Sequence, residues 1–237
     1  MIDLVVTATL RPELLRVTLD SHIENLFGDY VKQTNLIMNI DYAGEVDPDK
    51  QNKKMNEIFG IIENYPFRSD NISISMIPHF GNAFFNCMKK TRSEFIFNLE
   101  EDWRLKIKLD FKRMIELMQE DKNLVHLRLS AFRSEEETCK NWNKFLFWNG
   151  DYFEVQGDMR GTIGWAGHPS LNKGDFIRHC LHYINPNLNP EKQIKGRNIF
   201  LSEVINTSRF GCFHPQKTEA AIEDIGRNWM VQNGWAK

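Results

Sequence analysis

Three acids, Glu100-Glu101-Asp102, directly follow the run Phe95-Ile96-Phe97-Asn98-Leu99. So short an apolar run suits a buried strand. In open α/β sheets, ligands bind beyond the carboxyl ends of the strands. Side chains alternate along an extended chain, so Glu100 and Asp102 are expected on one side and Glu101 on the other. Two carboxylates on one side supply the hard oxygen ligands that Mg2+ or Mn2+ combine with substrate phosphates. The same run would also serve as a solvated acidic turn before a helix. Glu191 is a further acid with a defined setting. Asn189 reads as a helix N-cap and Pro190 as the first helical residue, so Glu191 lies where the helix dipole favours a carboxylate.

These residues must be carried by a folded chain. At 237 residues, with 41% hydrophobic and 26% charged residues, the composition is globular and excludes disordered, collagen-like and coiled-coil classes. The net charge of −2 disfavours a nucleic-acid binder, which carries a basic footprint. Cys87, Cys139, Cys180 and Cys212 are far apart and form no CxxC pair, against a zinc ribbon. Asp3 stands where a signal peptide would be basic, and no apolar run is long enough to span a bilayer. A soluble, cytoplasmic protein with free thiols is expected.

Strand patterns alternate with helix patterns through the first half. Leu4–Thr9 reads as a buried strand, and Pro12 opens a helix carrying Leu14, Leu15, Val17, Leu19, Ile23 and Leu26. Thr34–Ile40 is a second strand, Glu45–Lys54 a surface loop, and Met55–Ile62 a helix. Ile72–Ile77 is a third strand, followed by a helix over about Gly81–Lys90. After the acids come a helix from Leu109 to about Gln119 and a strand over Leu124–Leu129. The alternation predicts an α/β fold, with a mostly parallel central sheet and helices on both faces. The second half is less regular, with a Trp- and Phe-rich stretch (Trp142–Phe153) and a glycine-rich one (Gly157–Gly167).

The opening Val5-Val6-Thr7-Ala8-Thr9-Leu10-Arg11-Pro12 is one motif. His79-Phe80-Gly81-Asn82-Ala83-Phe84-Phe85-Asn86-Cys87, leading on to Phe95–Asp102, is another. In order and spacing they resemble the GT-A-fold glycosyltransferases, especially the family-2-like group, across about the first 105 residues. The resemblance implies a single GT-A (Rossmann-like) domain over residues 1–237. Residues 1–105 would be the nucleotide-sugar half and 106–237 the acceptor half. It implies Thr7, Ala8, Thr9 and Arg11 beside the nucleotide, Asp41 facing the base or ribose, and Asn82 near the donor. Glu100 and Asp102 become the D-x-D-like pair, with Asp102 the metal ligand and Glu101 also on the donor side. Two departures stand out: the first acid is Glu rather than Asp, and Asp41 is followed by Tyr42-Ala43-Gly44 rather than an acid and Gly-Ser.

The resemblance extends to the second half in kind. A glycine-rich stretch there forms the sugar and acceptor pocket, which implies Trp165 stacking on a sugar, with Gly167 and His168 at the acceptor. His214 would complete the metal shell. An inverting transfer needs a base near the acceptor hydroxyl, and Glu191 is the candidate, with Asp158 in reserve. The implied reaction moves a hexosyl or deoxyhexosyl group from a UDP-, GDP- or dTDP-sugar to a glycan hydroxyl, with Mn2+ or Mg2+ as cofactor. Two other readings stand beside it: a sugar nucleotidyltransferase, against which Thr7–Pro12 lacks glycine, and a non-catalytic carbohydrate-binding protein on the same fold.

Overall fold

The computed structural model describes residues 1–43, 45–131, 145–213 and 220–232. Strand β1 (Ile2–Thr9) leads through Arg11 into α1 (Pro12–His22), whose Pro12 starts the helix as the sequence predicts. Next come β2 (Thr34–Asp41), α2 (Pro48–Ile62), β3 (Ser69–Ser75), α3 (Phe80–Lys90) and β4 (Phe95–Glu100). Short β5 (Trp103–Leu105), α4 (Phe111–Glu120) and β6 (Leu124–Leu129) follow. The later part contributes β7 (Leu146–Trp148), β8 (Phe153–Val155), β9 (Ser170–Lys173) and α5 (Gly174–Leu181). It ends in α6 (Pro190–Lys192), α7 (Ser202–Thr207), β10 (Arg209–Phe213), β11 (Ile222–Asp224) and α8 (Gly226–Gln232).

Nine strands form one sheet in the order β3-β2-β1-β4-β9-β6-β10-β8-β7. The β3-β2-β1-β4 half is parallel, and so is the β6-β10 pair. Strand β9 runs antiparallel between β4 and β6, and the β7-β8 hairpin closes the far edge. Alternate residues of each inner strand feed different cores. Leu4 and Val6 of β1 and Phe97 and Leu99 of β4 join one cluster with α1, α2 and α4. Val5 and Ile96 face the other, with Phe84 and Cys87 of α3 and Ile177 and Cys180 of α5. Helices therefore cover both faces, as a parallel sheet requires.

Three local features differ from expectation. The loop expected over Glu45–Lys54 becomes helix from Pro48, because the Asp47 carboxylate caps it, accepting from Asp49 N (2.9 Å) and Lys50 N (3.3 Å). Its first turns are polar because they face water; only Met55, Ile58, Ile61 and Ile62 are buried. The third strand lies nearer the N-terminus than its apolar alternation implies, and Ile77 stands 84% exposed beyond it. Ser170–Lys173, which no sequence pattern above marked as a strand, is a central one. Its polar side chains are satisfied internally: Asn172 Nδ2 donates to Ile96 O (3.4 Å) and Ser170 O (3.1 Å).

Candidate functional site

Strand register sets the first layer of the site. Thr9 pairs with Asp41 and Thr7 with Glu100, so the carboxyl ends of β1 and β2 finish level and β4 ends two residues short of them. The strand stops at Glu100 and the chain turns over Glu101–Asp102, which ends the side-chain alternation. Glu101 therefore does not point away from its neighbours as the strand rule predicts. Its backbone N–H donates to Thr7 O (3.2 Å), and its Oε1 accepts from Thr9 N (3.1 Å), Thr9 Oγ1 (2.8 Å) and Arg11 Nε (3.0 Å). Arg11 Nη2 bridges Glu101 Oε1 (2.5 Å) and Asp102 Oδ2 (3.0 Å). Glu100 takes a separate partner: its Oε2 accepts from Trp103 Nε1 at 3.2 Å.

The cluster carries more negative charge than its one arginine balances. Burial, and then the charge of Asp102, pushes the partly exposed Glu100 up to about 8. Asp102 is pushed up as well, by burial and by Glu101, with Arg11 opposing. Asp41 is raised by burial, against hydrogen bonds from Asn39 Nδ2 (2.7 Å) and the His79 backbone N–H (3.1 Å). Among the described residues no three His, Cys, Asp or Glu side chains surround one point as a ready cage. The donor chemistry nonetheless fits a hard divalent cation. Such ions take one or two carboxylates and complete their shell with water and phosphate, and the unbalanced acids would lose their mutual repulsion.

A second layer comes from the later chain. Gly167 lies between two carboxyls: a Cβ built there would sit 3.3 Å from Glu191 Oε2 and 3.7 Å from Glu100 Oε1. The fold thus brings the strand-end acid and the helix-turn acid to one small residue. Asn98 Nδ2 donates to Gly167 O, and Lys195 pairs with the Glu191 carboxylate one turn on. Asn189 Oδ1 caps that turn, accepting from Lys192 N at 3.0 Å, as the sequence predicts. His168 lies against Trp103, ring centroids 5.7 Å apart. Asn82 stands in the first turn of α3, its backbone N–H donating to His79 Nδ1 (3.2 Å), beside the Asp41 contact.

Several expected site residues sit elsewhere. Trp165 presents no face to a sugar. It is 1% exposed, its Nε1 donates to Asn172 Oδ1 (3.1 Å), and Phe84 meets it edge-on at 5.7 Å. Its role is to anchor the Gly167 segment, together with His126 Nε2, which accepts from Ala166 N at 3.3 Å. The Ala8 side chain packs in the core, so only its backbone could face a ligand. Asp158 is exposed on a 3-10 turn over Gly157–Met159, outside the contacts that join the acids. His214 lies outside the described residues.

The sequence reading missed the lid over Arg11. Strand β11 pairs with β5, and α8 then crosses the acids. The Arg11 guanidinium stacks on Trp229 at 5.4 Å, and Trp229 Nε1 donates to Glu13. Ile225 N donates to Asp102 O (2.9 Å). Gly226 lies so close that a Cβ would fall 2.2 Å from Asp102 Oδ2. At the start of α8 the Arg227 backbone N–H donates to Asp224 Oδ1 (3.2 Å). Nothing local marks Trp229 or Gly226 as site residues; only the β5–β11 pairing brings them there.

No protein-family model matches the sequence, and no curated protein matches it. Solved structures do. S. aureus TarS 1–349 in complex with UDP-GlcNAc aligns with a TM-score of 0.60 at 12% identity, over 95% of this chain and 60% of that one. The mannosyltransferase PcManGT from Pyrobaculum calidifontis, in complex with GDP-Man and Mn2+, aligns at 0.59 and 9% identity, over 98% and 60%. A longer S. aureus TarS structure aligns at 0.56 and 10%, over 93% and 36%. The chain thus spans about three fifths or less of these proteins. Its fold is that of the GT-A glycosyltransferases.

Proposed function

We propose that the chain is a glycosyltransferase that takes its sugar from a nucleotide-diphosphate donor and passes it to a glycan hydroxyl, with inversion. One observation carries the reading: the strand-end acid Glu100 and Glu191, far apart in sequence, converge on Gly167 at the carboxyl edge of a GT-A sheet. Nucleotide sugars in the TarS and PcManGT structures support the donor class. Thr9, Arg11 and Asn82 would border the nucleotide, and Asp41 would set the environment of the base or ribose. Glu100 and Asp102 would hold Mn2+ or Mg2+, with His214 as a further candidate ligand. The ion would neutralise the leaving diphosphate. Glu191 would accept the acceptor proton, Lys195 fixing one oxygen while the other faces Gly167. His168, beside Trp103, would contact the acceptor.

The experiment is a panel of UDP-, GDP- and dTDP-sugars with and without Mn2+, read as donor hydrolysis and thermal shift. A metal-dependent shift with one donor is expected. Asp102→Asn should lower donor turnover at least about a hundredfold, in line with loss of a major electrostatic contribution. No response to any donor, or full turnover by Asp102→Asn, sinks the reading. The Arg11 bridge gives Glu101 and Asp102 a cation of the protein's own, which favours a second reading as a metal-free carbohydrate-binding protein. Calorimetric glycan binding independent of nucleotide and metal would select it.

A further inference from the structure

Arg11 is nearly enclosed, with 11% of its side chain exposed. Its Nε donates to Thr9 Oγ1 (2.9 Å) and Glu101 Oε1 (3.0 Å), and its Nη2 to Glu101 Oε1 (2.5 Å) and Asp102 Oδ2 (3.0 Å). These bonds use the edge of the guanidinium plane, while the Trp229 ring covers its face, 5.4 Å from Cζ. A guanidinium can bond at its edge and stack on its face at once; an ammonium cannot. Trp229 is held in turn: its Nε1 donates to Glu13, and its backbone N–H to Ile225 O (3.4 Å) at the start of α8. Asp102 is thereby met on one oxygen from two directions. Its Oδ2 accepts from Arg11, and Gly226 crowds the same atom, since a Cβ there would fall 2.2 Å from it. Among the described residues none donates a hydrogen bond to Asp102 Oδ1.

We propose that Trp229 is a positioning residue of the cation site: by fixing Arg11 it commits Asp102 Oδ2 to the protein and leaves Oδ1 for a divalent ion. The role rests on the metal-dependent reading given above. Mg2+ and Mn2+ take one or two carboxylates and fill the rest of their shell with water and phosphate. A carboxylate already held in one orientation loses less freedom when the ion arrives. Without an aromatic face against it, the Arg11 side chain regains rotamers, and the Asp102 carboxylate it holds regains them too. Asp102 then offers the ion a disordered ligand instead of a fixed one. Trp229 acts only through Arg11, so its effect is on how tightly the ion is held.

The test is calorimetric titration of the donor-free full chain with Mn2+, with circular dichroism to show each variant folded. Trp229→Leu keeps an apolar cover but removes the aromatic face, and should bind Mn2+ about fivefold more weakly than the parent. Trp229→Phe restores a face and should recover most of the affinity. Arg11→Lys keeps the charge but loses the joint edge and face contacts, and should bind as weakly as Trp229→Leu. Val231→Ala, on the exposed side of the same helix, should match the parent. In donor turnover, Trp229→Leu should need more Mn2+ for half-maximal rate, with donor KM unchanged once Mn2+ saturates; loss of stability alone does not produce that split. Parental affinity in Trp229→Leu or Arg11→Lys overturns the proposal, as does a loss in Trp229→Phe equal to that in Trp229→Leu. Tighter binding by Trp229→Leu overturns it as well, because Arg11 would then be competing with the ion. A parent that binds no Mn2+ overturns the metal reading and this role together, whereas parental binding that Trp229→Leu leaves unchanged overturns this role alone.

Discussion

At the level of single residues, Glu100 has the most consequential environment. Its ordinary value is 4.5, and burial beside Asp102 raises it to about 8. A carboxyl with a raised folded-state pKa is bound more tightly to its proton in the native state. Its stabilising contribution is therefore fully present below about 4.5 and is lost as pH rises through about 8. Thermal melts in chelator should show a few degrees' decline across that window, and Glu100→Gln should flatten it while raising the melting point at its alkaline end. Identical pH profiles for the two proteins would refute the assignment. Gly167 allows a second prediction. The Cβ of Gly167→Ala meets Glu100 Oε1 at an ordinary 3.7 Å and Glu191 Oε2 at 3.3 Å, a contact that the end of the Glu191 side chain relieves by moving a few tenths of an ångström. Stability should hold while kcat/KM falls about tenfold, because an added methyl stands where the acceptor must approach. Denaturation curves paired with initial rates separate the two effects.

At the level of elements, the C-terminal lid is coupled to the acids. Helix α8 starts at Gly226 against the Asp102 side chain, and its Trp229 covers Arg11. A Cβ 2.2 Å from Asp102 Oδ2 and 2.8 Å from its Cβ cannot be absorbed by a flexible tip. In Gly226→Ala, either α8 retreats or Asp102 leaves Arg11. The expected cost is about 1–3 kcal/mol in urea unfolding, with loss of donor turnover. Unchanged stability and turnover would show that the lid does not constrain the site. Element type was readable where periodicity was strong, as in β1, β2, α3, β4 and β6, and where capping chemistry was explicit, as at Asn189-Pro190. The first turns of α2 and all of β9 were not readable. A solvent-facing helix turn such as Pro48–Lys54 has no apolar stripe. A strand such as Ser170–Lys173 gains its place from partners on β4 and β6 rather than from β propensity.

Over the whole molecule, two cores press on one sheet, and the segment bearing Gly167 hangs from the inner polar network of His126, Asn172 and Trp165. Removing the largest member tests that dependence. Trp165→Ala should lose about 3–5 kcal/mol in denaturant unfolding, the cost of an aromatic-sized cavity. Trp165→Phe should retain most of the stability, since the edge contact with Phe84 survives. Loss of glycan binding by a Trp165→Ala protein of unchanged stability would instead restore the sugar-platform role.

The sequence by itself determined the α/β alternation, the acid run at a strand end and the capped turn before Glu191. These are properties of residues within one helix turn or one strand of each other, where spacing dictates direction. Only the tertiary structure decided that Glu101 joins Asp102 on Arg11, that Glu100 meets Glu191 across Gly167, and that Trp165 is core rather than platform. Each of those outcomes depends on where the chain turns after β4, or on residues remote in sequence packing together. Local periodicity carries no information about either.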